Sequence, residues 1–394
     1  MFESLERKPP DPILKLIAEY GADKRAEKID LGVGVYRDAA GNTPVFRAVK
    51  KAEQQLLESQ TSKSYLGIRG AADFCEAMQS LVLGDKSRDN DRLMTLQTPG
   101  GSGALRVAAG VILRANPDTT LWVSDPTWNN HTPLLGGAGL KLENYPYYDT
   151  DRNVLRFDAM LDVLNSIPAG DVVLLHGCCH NPTGMDLTES QWDQVTDLVV
   201  DRGLVPFIDI AYQGFADGLE ADAYGVRRML ERTPEMLVVA SCSKNFGLYR
   251  DRVGSLTLLS RTAEGAEVVG SQAFNIVRTM YSLPPDHGAA AVTMILNNAE
   301  LRSDWLDELT GMRERMKEMR RLLVAGLGRT APGRDFSHIE RGKGMFCYLG
   351  VTPQQAAALK RDYGVYLVET GRINVCGITR ENVDYLSDSI AAVF

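Results

Sequence analysis

The stretch LVVASCSKNFGLYRDRVGSLTLLS (237–260) carries two apolar runs with a group of hydroxyl and charged residues between them. The runs Leu237–Ser243 and Val253–Ser260 are short and almost continuously apolar, so they predict strands that are covered on both faces. Runs of the same kind lie earlier in the chain, at Leu93–Thr98, Thr120–Asp125, Asp171–Gly177 and Val205–Ala211.

Helical patterns separate several of these strands. In Phe46–Glu58 the apolar residues recur at the spacing of one helix face. Strands that alternate with helices indicate the α/β class, with a largely parallel sheet covered on both sides. After Ala299, apolar residues recur every three or four positions from Leu301 to Leu323, which predicts one amphipathic helix of about 25 residues or more.

The chain start is expected to differ from the body of the protein. Pro9, Pro10 and Pro12 disfavour helix there, so residues 1–14 are predicted to form an extended arm. The alternating pattern of strands and helices then predicts a large domain over residues 46–311.

A smaller α/β domain is predicted from both chain ends, residues 15–45 and 312–394. Its strands are expected within Ser337–Gly350 and Ile373–Ile378, which are short apolar stretches. The long helix after Ala299 would then connect the two domains.

Composition excludes several classes of protein. The net charge is −8 and the pI about 5.3, which argues against nucleic acid and anionic membranes as main partners. No apolar run approaches the roughly 18 residues of a membrane helix, and the first residues lack the apolar core of a signal peptide. Six cysteines are scattered through the chain, mostly in apolar stretches. We therefore expect free thiols and a cytoplasmic location.

Lys244 is the first residue that suggests chemistry. It directly follows a buried strand, next to Ser241 and Ser243, and Arg252 comes eight residues later. Hydroxyls and an arginine suit an anionic phosphate, and a lysine in such a pocket can lose its proton and react with a carbonyl carbon. The alternative is an ordinary surface lysine in a loop.

A carboxylate and a tyrosine follow a neighbouring strand. Asp209 closes the strand that begins at Val205, and Tyr212 comes three residues after it. The carboxyl end of a strand in an open α/β sheet faces the ligand crevice, where an ionised carboxylate could pair with a protonated ring nitrogen. The alternative is an aspartate that caps the next helix.

Two turns add weaker signals. Pro99-Gly100-Gly101-Ser102-Gly103-Ala104 joins a strand to a helix, where glycines and the helix N-terminus would accept a phosphate. It matches neither common nucleotide-binding glycine pattern, so it could also be a plain turn. Asn181-Pro182-Thr183-Gly184 follows another strand and needs no function as a turn, although Asn181 could reach a ring hydroxyl.

Histidines and cysteines near that turn raise the question of a metal. The four are His176, Cys178, Cys179 and His180. Neighbours on an extended chain point to opposite faces, so these side chains should not converge on one ion. We therefore predict no metal site.

Taken together, the motifs resemble those of a known family, the aspartate/aromatic aminotransferases. The matching segments are GVGVYRD (32–38), SYLG (64–67), TPGGSGALR (98–106), SDPTW (124–128), HGCCHNPTG (176–184), IDIAYQGF (208–215), SCSKNFGLYRDRVG (241–254), YSLPP (281–285) and GRINVCG (371–377). These are class I aminotransferases, whose fold is pyridoxal-phosphate fold type I. The resemblance therefore implies a seven-stranded, mostly parallel sheet in the large domain and a homodimer.

The resemblance also implies a cofactor, pyridoxal 5′-phosphate, and roles for the residues around it. Lys244 is similar to the lysine that carries the cofactor and moves the proton, and Asp209 to the partner of the pyridine nitrogen. Asn181 and Tyr212 match residues that hydrogen-bond the ring oxygen, and Trp128 matches an indole stacked on the ring. The residues that resemble support for Asp209 are His131 and His176. The residues that match a phosphate site are Gly101, Ser102, Ser241 and Arg252, together with Tyr65 from the neighbouring subunit.

Substrate contacts are implied in the same way. Arg372 matches the arginine that forks onto the α-carboxylate of the substrate. Arg278 resembles an arginine that binds a side-chain carboxylate across the dimer interface. Gly34 would approach the substrate through its backbone, and Phe346 would form the pocket wall. The implied reaction is ping-pong transamination between an L-amino acid and a 2-oxo acid, typically 2-oxoglutarate.

Several positions depart from the pattern of aspartate-specific members. They are Leu283 and Ser64, which replace asparagine, Ser102, which replaces threonine, and Asn129, which replaces proline. Loss of a polar partner at Leu283 should loosen Arg278 and let it move aside for an aromatic ring. We therefore predict that dicarboxylic and aromatic amino acids (Asp, Glu, Tyr, Phe) are both substrates, and the alternative is a strict aspartate aminotransferase. A lyase or decarboxylase of this fold would not need both arginines, and a non-catalytic sensor would be expected to carry an added DNA-binding module.

Overall fold

The computed structural model describes residues 1–7 and 12–394. The helices are α1 Pro12–Ala22, α2 Arg47–Ser59, α3 Ala72–Leu83, α4 Gly100–Ala115, α5 His131–Gly136, α6 Phe157–Ser166, α7 Glu189–Arg202, α8 Leu219–Asp222, α9 Tyr224–Arg232, α10 Ala263–Met280, α11 His287–Asn297, α12 Ala299–Thr330, α13 Ser337–Arg341, α14 Pro353–Tyr363 and α15 Val383–Ala391. The strands are β1 Ile29–Asp30, β2 Leu93–Pro99, β3 Thr120–Asp125, β4 Lys141–Pro146, β5 Tyr148–Asp149, β6 Val154–Leu155, β7 Val172–His176, β8 Val205–Ile210, β9 Met236–Ser241, β10 Val253–Leu259, β11 Phe346–Tyr348, β12 Val365–Tyr366 and β13 Arg372–Asn374.

A seven-stranded sheet in the order β2-β10-β9-β8-β7-β3-β4 forms the centre of the large domain. Strand β10 is antiparallel to β2 and β9, and the other neighbours are parallel. The six strands predicted from apolar runs are confirmed, with ends that differ by at most two residues. The seventh, β4, is an edge strand whose residues are largely exposed, so it lacks the apolar run that marks the others.

Two apolar cores lie on opposite faces of this sheet. Along β7, Val173 and Leu175 belong to one core, and Val172 and Leu174 belong to the other. Helices cover both faces, so consecutive residues of a central strand are buried in turn. This arrangement explains why these strands are apolar without alternation, and it confirms the predicted α/β class.

The sheet topology brings the ends of several strands to one edge. Parallel β7, β8 and β9 place their carboxyl ends there, and the register aligns His176 with Asp209 and Asp209 with Val239. Antiparallel β10 begins at the same edge, where Gly254 lies opposite Ser241. This edge holds the candidate site.

Both chain ends contribute to a second unit. Strand β1 near the start pairs in parallel with β12 near the end, through Ile29 and Val365. Strands β11 and β13 form an antiparallel pair in which Tyr348 lies opposite Arg372. Helix α12 is 32 residues long, as the apolar spacing after Ala299 predicted. The domain limits 15–45, 46–311 and 312–394 stay predictions.

Three local predictions are corrected. Pro12 does not block a helix, because it occupies the first position of α1, where its missing N–H is not needed; Pro9 and Pro10 lie outside the described residues. The stretch Ser337–Gly350 begins as helix α13, with the Asp335 side chain accepting from the Ser337 N–H, and only β11 is strand. After β13, a 3₁₀ turn replaces the expected strand because the Asn374 side chain accepts from the Cys376 N–H.

Candidate active site

A cavity of about 190 Å³ opens at the edge of the sheet where the strand ends meet. The predicted site residues that line it are Gly34, Gly101, Ser102, Trp128, Asn181, Asp209, Tyr212, Ser241, Lys244 and Arg252. Arg372 and Phe346 contact each other beside two of these residues, Tyr212 and Gly34. Tyr65 and Arg278 are exposed on the surface instead.

Lys244 lies three residues beyond the end of β9. Its Nζ is 4.9 Å from the centre of the Tyr212 ring. Burial lowers the pKa of Lys244, a nearby carboxylate at Asp209 opposes that shift, and the charge of Arg252 adds to it. The lower pKa makes the neutral amine more available at neutral pH, and a neutral amine is what a nucleophile or a base requires.

Asp209, near the end of β8, is the anion of the site. Its side chain is only 11% exposed, and its Oδ2 lies 3.0 Å from Nε2 of His131. Burial alone would raise the pKa of Asp209, but the hydrogen bond from His131 and the charge of Lys244 contribute to a net lowering. Asp209 is therefore ionised at neutral pH and ready to pair with a cationic group.

A hydrogen-bonded chain supports His131 from behind. The hydroxyl of Thr127 lies 2.8 Å from Nδ1 of His131 and 3.1 Å from Nε2 of His176. Burial holds the pKa of His176 well below its usual value, so this ring is neutral. The chain fixes the orientation of His131 and, through it, that of Asp209. The structure thus places both predicted supporting histidines at this carboxylate.

Small residues and an arginine of the same cavity form a cup that suits an anion. Gly100 begins α4 at φ +69°, a conformation that favours glycine, and a Cβ there would lie 2.5 Å from Nη2 of Arg252, so a larger residue would displace the guanidinium. Gly101 and Ser102 continue into the helix, whose N–H groups and dipole attract negative charge. Ser241 donates a 3.1 Å hydrogen bond to Ser243.

Ser243 also lines the cavity; its hydroxyl was noted beside Lys244 in the sequence, but it was not among the residues assigned to the phosphate site. It lies two positions after Ser241, and Nη1 of Arg252 donates to its hydroxyl at 3.4 Å. In the strand predicted over Leu237–Ser243, residues two apart share a face, so that period was the signal that could have assigned Ser243 together with Ser241. Tyr249, which also lines the cavity, was missed because nothing in its spacing distinguishes it.

Asn181 and Tyr212 lie next to each other in the wall of the cavity. The Asn181 amide nitrogen is 3.5 Å from the Tyr212 hydroxyl. The Asn181 Oδ1 is buried and has no hydrogen-bond partner in the described part of the chain. Because buried polar atoms are nearly always paired, this oxygen fits a ligand that brings a polar group. Burial also raises the pKa of Tyr212, which keeps its hydroxyl protonated as a donor.

Arg372 on β13 is the positively charged residue that the second unit places beside the cavity. Its Nη2 donates to the Gly32 carbonyl at 2.8 Å, and its guanidinium lies 4.5 Å from the centre of the Phe346 ring. Its Nε is buried, with no partner among residues 1–7 and 12–394. Burial lowers the pKa of Arg372, yet a guanidinium remains charged in proteins. The unpaired donor fits a carboxylate.

Tyr65 and Arg278 do not line the cavity of their own chain. Tyr65 is 92% exposed, and Arg278 is exposed with its guanidinium bonded to the Ser282 hydroxyl. Ser282, the second residue after the end of α10, has φ +68°, a left-handed backbone conformation that is uncommon for a residue other than glycine. The two predicted residues are thus available at the surface and separate from the site.

The histidine and cysteine group near Asn181 does not converge as one set of ligands. The rings of His176 and His180 stack with centroids 4.0 Å apart, which is closer than the sequence argument expected, and both nitrogens of His180 face hydroxyls. Cys178, Cys179 and Asp222 form a separate trio with ligand atoms within 4.8 Å. The Asp222 carboxylate already accepts three main-chain N–H groups, which gives it a structural role.

The site combines a lysine with a lowered pKa, an ionised carboxylate and an anion cup at one edge of an α/β sheet. This combination is typical of an enzyme in which a lysine acts as nucleophile or base. The profile of the family described as "Aminotransferase class I and II" matches residues 26–390. The chain therefore belongs to the class I and II aminotransferases, and it is an aminotransferase.

Individual relatives agree over the full length. The chain is 48% identical to an aromatic-amino-acid aminotransferase of Pseudomonas aeruginosa, covering 100% of this chain and 98% of that protein. It is 47% identical to the aspartate aminotransferase of Escherichia coli, with 100% of each covered. A solved structure, the aromatic-amino-acid aminotransferase of Burkholderia pseudomallei covalently bound to pyridoxal phosphate, superposes with a TM-score of 0.97 at 44% identity, covering 100% of this chain and 99% of that one. The predicted fold type is confirmed.

Proposed function

We propose that this aminotransferase uses pyridoxal 5′-phosphate to transfer the amino group between dicarboxylic or aromatic L-amino acids and 2-oxo acids such as 2-oxoglutarate. One observation carries the proposal. Lys244, Asp209 and the cup at Ser241 and Arg252 line the same cavity, so an amine, an anion and an anion-binding site face one ligand. A phosphorylated cationic aromatic aldehyde requires these three partners.

The residues present fit that cofactor. Gly101, Ser102, Ser241 and Arg252 would hold the phosphate, and Asp209 would pair with the ring nitrogen. The unpaired oxygen or the amide nitrogen of Asn181 and the hydroxyl of Tyr212 would bind the ring hydroxyl, with Trp128 against the ring face. When bound, the cofactor supplies an electron sink that stabilises negative charge at the substrate Cα.

The residues of the chain then move the proton. The Nζ of Lys244 takes the proton from the substrate Cα and then returns it to the carbon on the other side of the amino nitrogen. The same nitrogen atom of Lys244 therefore acts first as general base and then as general acid. The anionic Asp209 keeps the ring nitrogen protonated, because His131 holds its carboxylate ionised. The two half-reactions share one site, so ping-pong kinetics are expected.

Two arginines are proposed to bind the carboxylates of the substrate. Arg372 is placed for the α-carboxylate, since its buried Nε lacks a partner in the described chain and Gly34 leaves room beside Phe346. Arg278 is proposed to reach the side-chain carboxylate in the site of a second subunit, and Tyr65 to reach the phosphate there. Both side chains are exposed in the single chain, which leaves them accessible to a second subunit, and on this basis we propose a homodimer with shared sites.

The substrate range is proposed to be dual. Leu283, one residue after the hydroxyl that Arg278 binds, offers that arginine no polar anchor, and Ser102 and Ser64 have smaller side chains than the threonine and asparagine of aspartate-specific members. The relatives include both aspartate and aromatic-amino-acid aminotransferases at nearly equal identity. The alternative is a strict aspartate aminotransferase.

The deciding experiment compares kcat/KM for aspartate and for phenylalanine, each with 2-oxoglutarate as acceptor. A ratio within about tenfold, roughly 1.4 kcal/mol in transition-state binding, supports the dual pocket. A preference for aspartate of about a thousandfold, roughly 4 kcal/mol, would mean that Arg278 is fixed and that the alternative holds. No turnover with either amino acid, in protein loaded with pyridoxal phosphate, would overturn the proposed activity.

The location in the cell stays a proposal as well. All six cysteines lie in the described residues, and each is a buried free thiol. Free thiols in this number support a reducing compartment such as the cytoplasm. No helix in residues 1–7 and 12–394 is both long and apolar enough to cross a membrane.

A further inference from the structure

Arg320 on α12 is a buried arginine without an acidic partner in the described chain. Arg320 is only 2% exposed, and its side chain is one of the largest that are fully buried. Its guanidinium donates hydrogen bonds to four main-chain carbonyl oxygens. They belong to Ile339 at 2.8 Å, Lys343 at 3.1 Å, Gly344 at 3.0 Å and Phe346 at 2.7 Å. A buried cation is costly unless its donors are satisfied, so this arrangement specifies the path of the backbone around it.

The segment that Arg320 holds runs from α13 to β11. The chain approaches the guanidinium so closely at Gly342 that a Cβ there would lie 2.7 Å from Nη1. The Lys343 N–H donates to the Gly184 carbonyl at 2.6 Å, which also ties the segment to the turn that contains Asn181. Arg320 therefore fixes the segment from inside, and the turn fixes it from the cavity side.

Phe346 is the last residue of this segment and the first of β11. Its carbonyl receives the shortest of the four Arg320 hydrogen bonds. Its side chain lies beneath Arg372, with the guanidinium carbon 4.5 Å from the ring centre. Strand β13, which carries Arg372, pairs with β11. The position of Arg372 thus depends on a strand whose start is anchored by Arg320.

We propose that Arg320, a residue outside the cavity, is a positioning residue that sets the affinity of the enzyme for the substrate carboxylate by fixing Phe346 and β11 under Arg372. The proposal rests on the proposed role of Arg372. A guanidinium suits this task because its planar, forked donors reach several carbonyls at once. A lysine offers one nitrogen, so it keeps the charge but cannot reach both ends of the segment.

The test uses the holoenzyme and three variants, Arg320→Lys, Arg320→Met and the control Arg321→Met. Arg321 is the next residue on α12, and its side chain is exposed. For each we would measure the inhibition constant of succinate, a dicarboxylate without an amino group, together with KM for aspartate, kcat and the cofactor absorbance. Succinate binding requires no chemistry, so it reports on carboxylate binding without the chemical step.

We expect the succinate constant and KM to rise at least tenfold in Arg320→Met and less in Arg320→Lys. In both variants kcat should stay within threefold and the absorbance should be unchanged, because Lys244 and Asp209 are untouched. Arg321→Met should behave as wild type. If Arg320→Met does not fold, the smaller rise of the succinate constant in the folded Arg320→Lys enzyme decides the matter.

Two results would overturn the proposal. One is an unchanged succinate constant in the folded Arg320→Lys enzyme. The other is a joint fall of kcat, cofactor content and Tm with no change in succinate binding, which would show a purely structural role. Arg372→Lys, measured in parallel, distinguishes failure of the proposed role of Arg372 from failure of the positioning role of Arg320. If that variant leaves succinate binding unchanged, the proposed role of Arg372 fails; if it weakens binding while the Arg320 variants do not, only the positioning role fails.

Discussion

Arg372→Lys removes a forked cation while it keeps the charge. In the structure Nη2 of Arg372 is engaged by the Gly32 carbonyl, and Nε is buried without a partner in the described chain. A carboxylate bound at Arg372 would pair with that Nε and a neighbouring nitrogen. Lysine has a single nitrogen, so it cannot keep the Gly32 bond and also make two parallel bonds to the ligand.

The expected loss of kcat/KM follows from the number of hydrogen bonds that the variant cannot make. One hydrogen bond to a charged group contributes about 1.5–3 kcal/mol, which corresponds to about 10- to 150-fold in kcat/KM. The α-carboxylate is common to all amino acids. The loss should therefore be equal, within about threefold, for aspartate and phenylalanine.

The assay is steady-state kinetics of both amino acids with 2-oxoglutarate, on wild type and variant enzymes of equal cofactor content. Arg321→Lys serves as a surface control on an exposed arginine. A loss confined to aspartate would show that Arg372 binds the side-chain carboxylate instead. An undiminished kcat/KM for both substrates would refute the forked contact altogether.

Three further predictions concern other parts of the site. Arg278→Ala should reduce kcat/KM for aspartate at least about 30-fold more than for phenylalanine, since a lost charge pair costs about 2 kcal/mol or more; equal losses would place Arg278 elsewhere. His131→Phe removes the hydrogen bond that helps to lower the pKa of Asp209, so that pKa rises and the acid limb of the pH–rate profile should move to higher pH; an unmoved limb would contradict this coupling. Gly184→Ala should lower Tm more than Gly170→Ala, because both have positive φ, at +70° and +88°, but only the first would place a Cβ 2.2 Å from a carbonyl oxygen; equal Tm values would exclude the contact as a cause.

The sheet was predictable because its central strands are buried on both faces. The Val172–His176 strand is apolar without alternation, and a short run of β-branched and other apolar residues is typical of a strand in a covered sheet. Strand Lys141–Pro146 was not predicted, because an edge strand exposes charged side chains and its sequence then resembles that of a loop. Helix Ser337–Arg341 was not predicted because its five residues are too few to show a helical period.

The candidate site was predictable where a residue type is tied to a strand end. Lys244 and Asp209 follow buried strands, and the topology brings such ends together. Arg320 could not be predicted, because Arg320 and Arg321 are adjacent at the margin of the same apolar stripe. Which of the two is buried depends on the rotation of α12 about its axis. It also depends on the backbone carbonyls that Arg320 contacts, most of which lie more than twenty residues away in the sequence. The local spacing of apolar residues determines neither of these.

The role of Tyr65 and Arg278 depends on a second chain, and a single chain shows only that both are exposed. Exposure of a large aromatic is ordinary by itself. What singles these two out is their motif, in SYLG and beside YSLPP, rather than any contact. Their assignment to a shared site therefore stays a prediction that the Arg278→Ala comparison addresses.

The central claim is that Lys244 carries the cofactor and moves the proton. The most direct measurement is the visible absorbance of wild type and Lys244→Ala, each loaded with pyridoxal phosphate, before and after glutamate is added. The account predicts that wild type is yellow and is bleached by glutamate, while Lys244→Ala can still bind the cofactor and is bleached at least about 10²–10⁴-fold more slowly, as expected for loss of a general base. Bleaching of Lys244→Ala at the wild-type rate would contradict it.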